Sequence, residues 1–356
     1  MSCMAVLGLG LFAAHASLEA RIDERLGRIR QATRFSREPR SPETRELVAR
    51  LEAIDRWVVE NASDDGLPPP WLRDAEDVVD LPEKLEAMAP FFQQVDVLTD
   101  SEACTRILAD DERLDMPTRR LFLARMCTNL LCAQAWFDQH VEGDSAAAAR
   151  RLGQALDIAR LGDDGSMIGF MIDLANEQYV LLAVQQVFLK PQHDARVFHE
   201  ALECRLARID DPDRLRRTLV LEFEEFRARV PGRNLLGLVR ELQCIETLER
   251  ALALAGATGA ESEAGLPALE AQSGDYAFTY GSAVKCWQLA RTHAELGRAA
   301  LAVAARSEAP LPIDPHTNRP FARETTAEGE RISSPEAIAT LGDPSEPYLL
   351  SWTLPR

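Results

Sequence analysis

The sequence predicts a mostly α-helical protein: a multi-helix antiparallel array of helical hairpins with a small C-terminal extended or β element. Hydrophobic residues make up 46% of the chain but aromatic residues only 6%, and Leu, Ala, Arg and Glu recur throughout. This mixture favours helices over sheets. Apolar residues also repeat at spacings of three and four between recognisable helix caps and breakers. The chain is therefore expected to fold around helices, not to be disordered.

The charge of the chain argues against nucleic acid as a partner. The formal net charge is −17, which repels a phosphate backbone. The segment from Glu19 to Arg40 is the exception, because it has seven arginines and four acidic residues, a local net charge of +3. The rest of the chain therefore carries about −20 by subtraction.

Residues 1–18 form an apolar anchor or signal-like segment. From Cys3 to Leu18 the chain reads CMAVLGLGLFAAHASL, which is shorter than the roughly 20 residues of a membrane-spanning helix. One interpretation is a membrane anchor that continues upstream, and another is a signal peptide cleaved near Ala14-His15-Ala16. A third is the start of an ordinary buried helix. The arginines that follow place the body in the cytoplasm by the positive-inside rule.

Helical structure is predicted to begin with residues 19–60 and to be interrupted by a linker over 61–81. Ser41-Pro42-Glu43 combines an N-cap serine, a proline at the first helical position and an acidic first turn. An apolar face then follows at Leu47, Leu51, Ile54 and Val58. Three consecutive prolines at 68–70 cannot continue a helix, so the linker separates this region from the main body.

Residues 82–308 are predicted to form one helical domain. A helix from about Pro82 is followed by a hairpin in which helix 121–141 turns at Gly143-Asp144 into helix 145–161. The returning helix resembles the second half of a tetratricopeptide unit, but no second copy follows at a period of 34 residues. Further helices are predicted at 166–188, 194–209, 213–230, 235–255 and 276–305, with residues 257–273 as an exposed acidic loop.

The Pro-rich residues 309–356 are predicted to form the C-terminal β element. The segment LPIDPHTNRPF, from Leu311 to Phe321, resembles a segment of a family of uncharacterised bacterial proteins. Members have an N-terminal membrane helix, an Ala/Leu/Arg/Glu-rich helical body and a tail similar to the C-terminal turn and strand of type II secretion pseudopilins. The resemblance implies a membrane-anchored protein of the cell envelope on the periplasmic side, opposite to the side that the positive-inside rule predicts. It implies no activity.

No catalytic, cofactor-binding or metal-binding residue is predicted, because each motif considered is incomplete. Ser282-Ala-Val-Lys285 matches the S-x-x-K pattern of penicillin-binding enzymes, but the accompanying K-T-G and S-D-N motifs are missing from the sequence. None of the six histidines has a glutamate three residues before it, as a carboxylate-bridged metal bundle requires. The seven cysteines form no C-x-x-C pair, and Cys204 and Cys244 are interpreted as small buried hydrophobic residues.

The leading functional hypothesis is a membrane-associated helical protein that binds other proteins, as a scaffold or assembly component of the bacterial cell envelope. The alternative is an enzyme or small-ligand binder with a site assembled in an interhelical cleft. Asp138, His140 and Glu177, on adjacent predicted helices, are the candidate group for such a site. The incomplete motifs favour a protein that is not an enzyme.

Overall fold

A computed structural model describes residues 2–33, 42–61, 81–110, 119–161, 166–185, 194–229, 234–271, 275–341 and 350–355. The fold is mostly helical, as predicted. The α-helices are α1 (Ser2–Ala32), α2 (Pro42–Asn61), α3 (Leu81–Ala87), α4 (Ala89–Thr99), α5 (Glu102–Asp110), α6 (Arg119–Phe137), α7 (Ser145–Arg160), α8 (Met167–Ala183), α9 (Ala195–Ala207), α10 (Pro212–Arg229), α11 (Leu235–Ala255), α12 (Gly259–Glu270), α13 (Asp275–Ala304) and α14 (Pro335–Thr340).

Short antiparallel strands follow the last long helix, which confirms the predicted C-terminal β element. A hairpin joins β1 (Ile313–Asp314) to β2 (Arg319–Pro320). A three-stranded sheet has the order β3 (Ala322–Thr325), β4 (Gly329–Ser333), β5 (Ser351–Pro355). Ile332 of β4 stands opposite Trp352 of β5, and both side chains are buried. This apolar pair attaches the sheet to the helical core.

The chain divides into two compact units. The first contains α1, α10, α11, α12 from Glu261 onwards and α13 up to Lys285. The second contains α2 to α9, the remainder of α13 and all that follows it. The segment 62–80, which makes up most of the predicted linker, and the predicted N-cap Ser41 lie outside the described residues.

Helix α1 contributes the core of the first unit through its C-terminal half. Ile22, Leu26 and Ile29 are buried at spacings of four and three, and α1 packs against α11. The helix is continuous from Ser2 to Ala32, so the predicted boundary between residues 18 and 19 falls inside it. None of the described helices is both long enough and apolar enough to cross a lipid bilayer. The predicted transmembrane helix is therefore not supported.

Helix α7 is the central helix of the second unit. It packs against α4, α6, α8 and α9, and every residue from Arg151 to Ala159 is buried. The preceding turn follows the prediction: Gly143 adopts a left-handed φ of 72°, and the Asp144 side chain accepts hydrogen bonds from the first-turn amides of α7. A side chain at position 143 would strain this turn. The small residues of α7 allow its neighbours to approach closely.

Beneath the sheet, α13 carries a glycine where an aromatic ring needs room. A Cβ atom added to Gly297 would lie 2.9 Å from the Leu181 side chain and 3.3 Å from the Trp352 ring. The same helix presents His293, which is fully buried, with its ring centroid 6.1 Å from that of Trp352. The absence of a side chain at Gly297 thus allows β5 to pack directly on α13.

Two helical predictions are wrong. The loop predicted at 257–273 forms helix α12, because Leu266 and Leu269 supply a buried apolar face and Gly265 lets the Leu254 side chain approach. The single helix predicted from Pro82 is two helices, α3 and α4, that meet at Met88. Pro90 lies in the first turn of α4 and has no backbone N–H to donate. It is tolerated at a helix start but not in a helix interior, so a new helix begins here.

Candidate functional site

A cleft open to solvent lies in the second unit between the α3–α4 pair and the α6–α7 hairpin. Its volume is about 460 Å³, within the range of natural ligand pockets. Phe92 and Leu85 form its apolar floor, and both are at most 5% exposed. The apolar lining is completed by Pro82, Ala89 and Phe137. The floor belongs to the packed core, so the cleft exists before any partner binds.

A paired acid and base form one wall of this cleft. The Arg151 guanidinium donates from Nη1 to Asp96 Oδ1 over 2.5 Å and from Nη2 to Asp96 Oδ2 over 3.3 Å. Gln154 donates to the same Asp96 Oδ1 over 2.8 Å and to Thr99 Oγ1 over 3.0 Å. Arg150 approaches Asp96 from outside, with 3.7 Å between Nη1 and Oδ1. The carboxylate of Asp96 is thus fully used in joining α4 to α7.

The same arginine links the polar wall to the apolar floor. Arg151 Cζ lies 5.1 Å from the centroid of the Phe92 ring, within the distance of a cation–π contact. Phe92 also packs edge-on against Phe91, at 5.2 Å between ring centroids. The Arg151 side chain is therefore fixed by an ion pair at its end and by a ring along its plane.

Two polar side chains lie at the mouth of the cleft. Glu86 and Gln93 are exposed side chains of α3 and α4 that line it. Neither makes a hydrogen bond or an ion pair with another side chain in the described part of the chain. These two groups, unlike Asp96 and Arg151, remain available to a molecule that enters the cleft.

A short π-helix, Asp138–Glu142, extends α6 directly beyond the cleft. Such insertions are frequent at functional sites. Gln134, which lines the cleft, donates to Asp138 Oδ1 over 2.5 Å. Burial raises the pKa of the Asp138 carboxyl, while the Gln134 hydrogen bond acts in the opposite direction. Asp138 is a buried carboxyl one hydrogen bond behind the cleft wall.

The three residues predicted as a candidate group do not meet in this cleft. Asp138 lies behind it, His140 packs against Trp136 with ring centroids 5.0 Å apart, and Glu177 is a buried residue of α8. Within the described residues, none of the three is among the side chains that line the cleft.

Sequence reasoning missed Arg151 and Asp96, although one signal was present. Arg151 stands three residues after Ala148 and four before Ala155, on the apolar face of α7. A charge in that position needs a partner. The partner comes from a helix more than 50 residues earlier in the chain.

The cysteines and possible metal ligands add no second site. In the part of the chain that the structure describes, no three His, Cys, Asp or Glu side chains are arranged to hold a metal ion. Cys244 is half-buried, but Cys204 is exposed, so its predicted burial is wrong. The residue lies on the outer side of α9, where the apolar spacing of Phe198, Leu202 and Leu206 does not reach it. No protein-family model, curated protein or solved structure matches this chain.

Proposed function

We propose that the protein acts by binding another protein and that the cleft of the second unit is its docking point. The observation that supports this proposal is that the residues of the cleft have two different roles. Arg151 and Asp96 neutralise each other and hold two helices in place, while the exposed Ala89 and the half-buried Phe137 leave apolar surface of the cleft open to solvent above the buried Phe92 and Leu85. A rigid apolar recess with a polar rim is suited to receive one anchoring side chain of a partner.

The role that fits such a recess is that of a scaffold or assembly component of the bacterial cell envelope. The apolar run from Cys3 to Leu18 supports a location at a membrane, together with the resemblance of the Leu311–Phe321 segment. Buried side chains in the described part of α1 begin only at Ile22. Residues 13–21, whose side chains are exposed or half-buried, are therefore not part of this buried core.

In-cell footprinting tests the docking proposal. Hydroxyl radicals oxidise accessible side chains, so labelling is compared between the purified protein and the protein in the cells that make it. Phe137, half-buried in the cleft, is expected to be labelled at least threefold less in cells. Ile168, which is 65% exposed on α8, serves as the control and keeps its labelling. Equal labelling of Phe137 in both samples contradicts docking at the cleft.

A second candidate function, an enzyme or small-ligand binder in the same cleft, is favoured by one observation. The raised pKa of Asp138 and the π-helix that carries it are typical of groups used in proton transfer. The footprint separates the two candidates if cell extract is passed through a filter that retains proteins. Protection of Phe137 by the small-molecule fraction favours this second candidate, and protection by the protein fraction favours docking.

The membrane location has its own test. We expect the full chain to sediment with membranes, and a variant lacking residues 2–18 to remain in the supernatant. Because the shortened protein keeps the buried Ile22, Leu26 and Ile29, its thermal unfolding should remain cooperative. Sedimentation of the two forms to the same extent contradicts a membrane role for this segment.

A further inference from the structure

The charges in and around the cleft differ in whether they are already neutralised. Asp96 faces Arg151 at hydrogen-bond distance, which balances its negative charge, and the second arginine beside it, Arg150 at 3.7 Å, is exposed and does not line the cleft. Asp138 is buried and hydrogen-bonded to Gln134. Among the described side chains that line the cleft, Glu86 alone carries a charge that no described neighbour balances.

The position of Glu86 determines what that charge can attract. It stands at the mouth, one helical turn from Pro82 and next to the buried Leu85, which belongs to the floor. A ligand can therefore contact Glu86 with one end while its other part enters the cleft and lies against the apolar lining. The half-buried ring of Phe137 borders this path, and aromatic rings attract cations over their faces, whereas the Phe92 ring is already in contact with Arg151.

We propose that the cleft takes an arginine or lysine side chain of the partner protein, with its methylene stem against Ala89 and Phe137, above the buried Phe92 and Leu85, and its cationic head group at Glu86. The stem of such a side chain is apolar and its head is charged, which matches an apolar floor beneath an acidic rim. Gln93 provides a further acceptor beside the head group. The net charge of −17 adds long-range attraction for a basic segment. This inference rests on the proposed function, because it names what the docked partner presents.

A matched pair of peptides tests this chemistry with the full chain. The probes are acetyl-Ala-Arg-Ala-amide and its citrulline counterpart, which has nearly the same shape but no charge. Binding is followed by NMR of labelled leucine methyl groups, with Leu85 as the reporter in the cleft. Leu202, buried in α9, is the reference. We expect the arginine peptide to shift the Leu85 signals with a dissociation constant of about 1 mM and the citrulline peptide to bind at least fivefold more weakly.

Two single-charge variants on the same helix locate the effect. Glu86→Gln is expected to weaken binding of the arginine peptide about threefold, the size of a partly exposed ion pair. Glu83→Gln removes the same charge from a position on α3 that does not line the cleft, and should leave the affinity within a factor of 1.5 of the wild type. Both positions are exposed, so neither variant disturbs folding.

The outcomes keep this inference separate from the docking proposal. Equal affinity for the arginine and citrulline peptides, or equal weakening by Glu86→Gln and Glu83→Gln, overturns the cationic side chain. The docking proposal then still stands if the labelling of Phe137 is lower in cells and is also lowered by the protein fraction of the extract. Selective binding of the arginine peptide without that protection overturns the proposed function, and with it the assignment of the cation to a partner protein.

Discussion

The core around α7 and the core beneath the C-terminal sheet bury polar groups in opposite ways. On α7, Arg151 is paired with Asp96 of α4, and Asp157 is paired with Arg205 of α9 through contacts of 2.9 and 2.8 Å. Beneath the sheet, neither ring nitrogen of His293 has a hydrogen-bond partner among the residues that the structure describes. Paired charges fix how helices are placed, whereas an unpaired imidazole contributes only as a neutral packing group.

The paired core provides what the cleft needs. An ion pair that spans two helices holds them at one spacing, and the recess between them keeps its shape without a ligand. The two pairs on α7 differ in exposure, since the side chain of Asp157 is 7% exposed and that of Asp96 27%. Burial raises the pKa of Asp157, and Arg205 and Arg208 act against this. The Asp157–Arg205 pair, here called the closed pair, is structural. The Asp96–Arg151 pair, here called the half-open pair, forms a wall of the cleft that a partner can touch.

Removing the closed pair should have the largest effect on stability. Arg205→Ala leaves Asp157 buried with Arg208 as its nearest cation, at 3.8 Å. We expect the free energy of unfolding to fall by about 3 kcal/mol, because the buried carboxylate loses its hydrogen-bonded partner and keeps only this longer contact. Urea unfolding followed by circular dichroism measures this, with the exposed Arg196→Ala on the same helix as control. A loss as small as that of the control contradicts the structural role.

The unpaired core should respond to pH instead. Burial lowers the pKa of His293 from the ordinary 6.5 to about 3, so below pH 6.5 the unfolded chain binds a proton that the native protein does not. Stability is therefore complete above pH 6.5 and is lost as the pH falls towards 3. This histidine should account for a loss of about 2 kcal/mol between pH 8 and pH 5.

His293→Leu isolates that contribution. The variant should lie within about 1 kcal/mol of the wild type at pH 8, because an unpaired polar group is replaced by an apolar one. Its free energy of unfolding should then fall by less between pH 8 and pH 5, by the amount assigned to the histidine. Urea titrations at the two pH values measure both quantities. The same pH dependence in variant and wild type would show that the imidazole is protonated in the native core.

Removing the half-open pair should have a smaller effect on stability. Arg151→Met keeps the volume of the side chain but leaves Asp96 without its main partner. We expect a loss of about 1.5 kcal/mol, half that of Arg205→Ala, because Asp96 can be hydrated through the cleft. The same urea titration measures this loss. A loss larger than that of Arg205→Ala would mean that the cleft wall is the more buried of the two.

The sequence predicted the helical hairpin of α6 and α7 because its signals are local. Gly143, Asp144 and the apolar spacing of α7 lie within 20 residues of one another and determine the turn, the cap and the buried face. Helix α12 was missed because its glycines and acidic residues indicate a loop, and only contact with Leu254 makes an apolar face useful there. Tertiary packing overrode local preference.

The cleft could not be predicted in the same way. Its side chains come from positions 82–96 and 134–151, and each is an ordinary residue of a helix surface when considered alone. In a chain with 40 lysines and arginines, the apolar spacing of α7 places Arg151 and not Arg150 on the buried face, but it does not indicate which helix packs there. The wall of the cleft is recognised only because Arg151 is buried and Arg150 is not. Burial in turn depends on which helices pack together.

Site-specific photo-crosslinking in cells tests the central claim most directly. A benzoylphenylalanine placed at Gln93, on the rim of the cleft, is compared with one at the exposed Glu200 of α9. The proposal predicts one protein adduct at position 93 that is absent at position 200 and is reduced more than tenfold by the charge reversal Glu86→Arg. The same adducts from both positions, or an adduct at position 93 that Glu86→Arg leaves unchanged, would contradict recognition by this cleft.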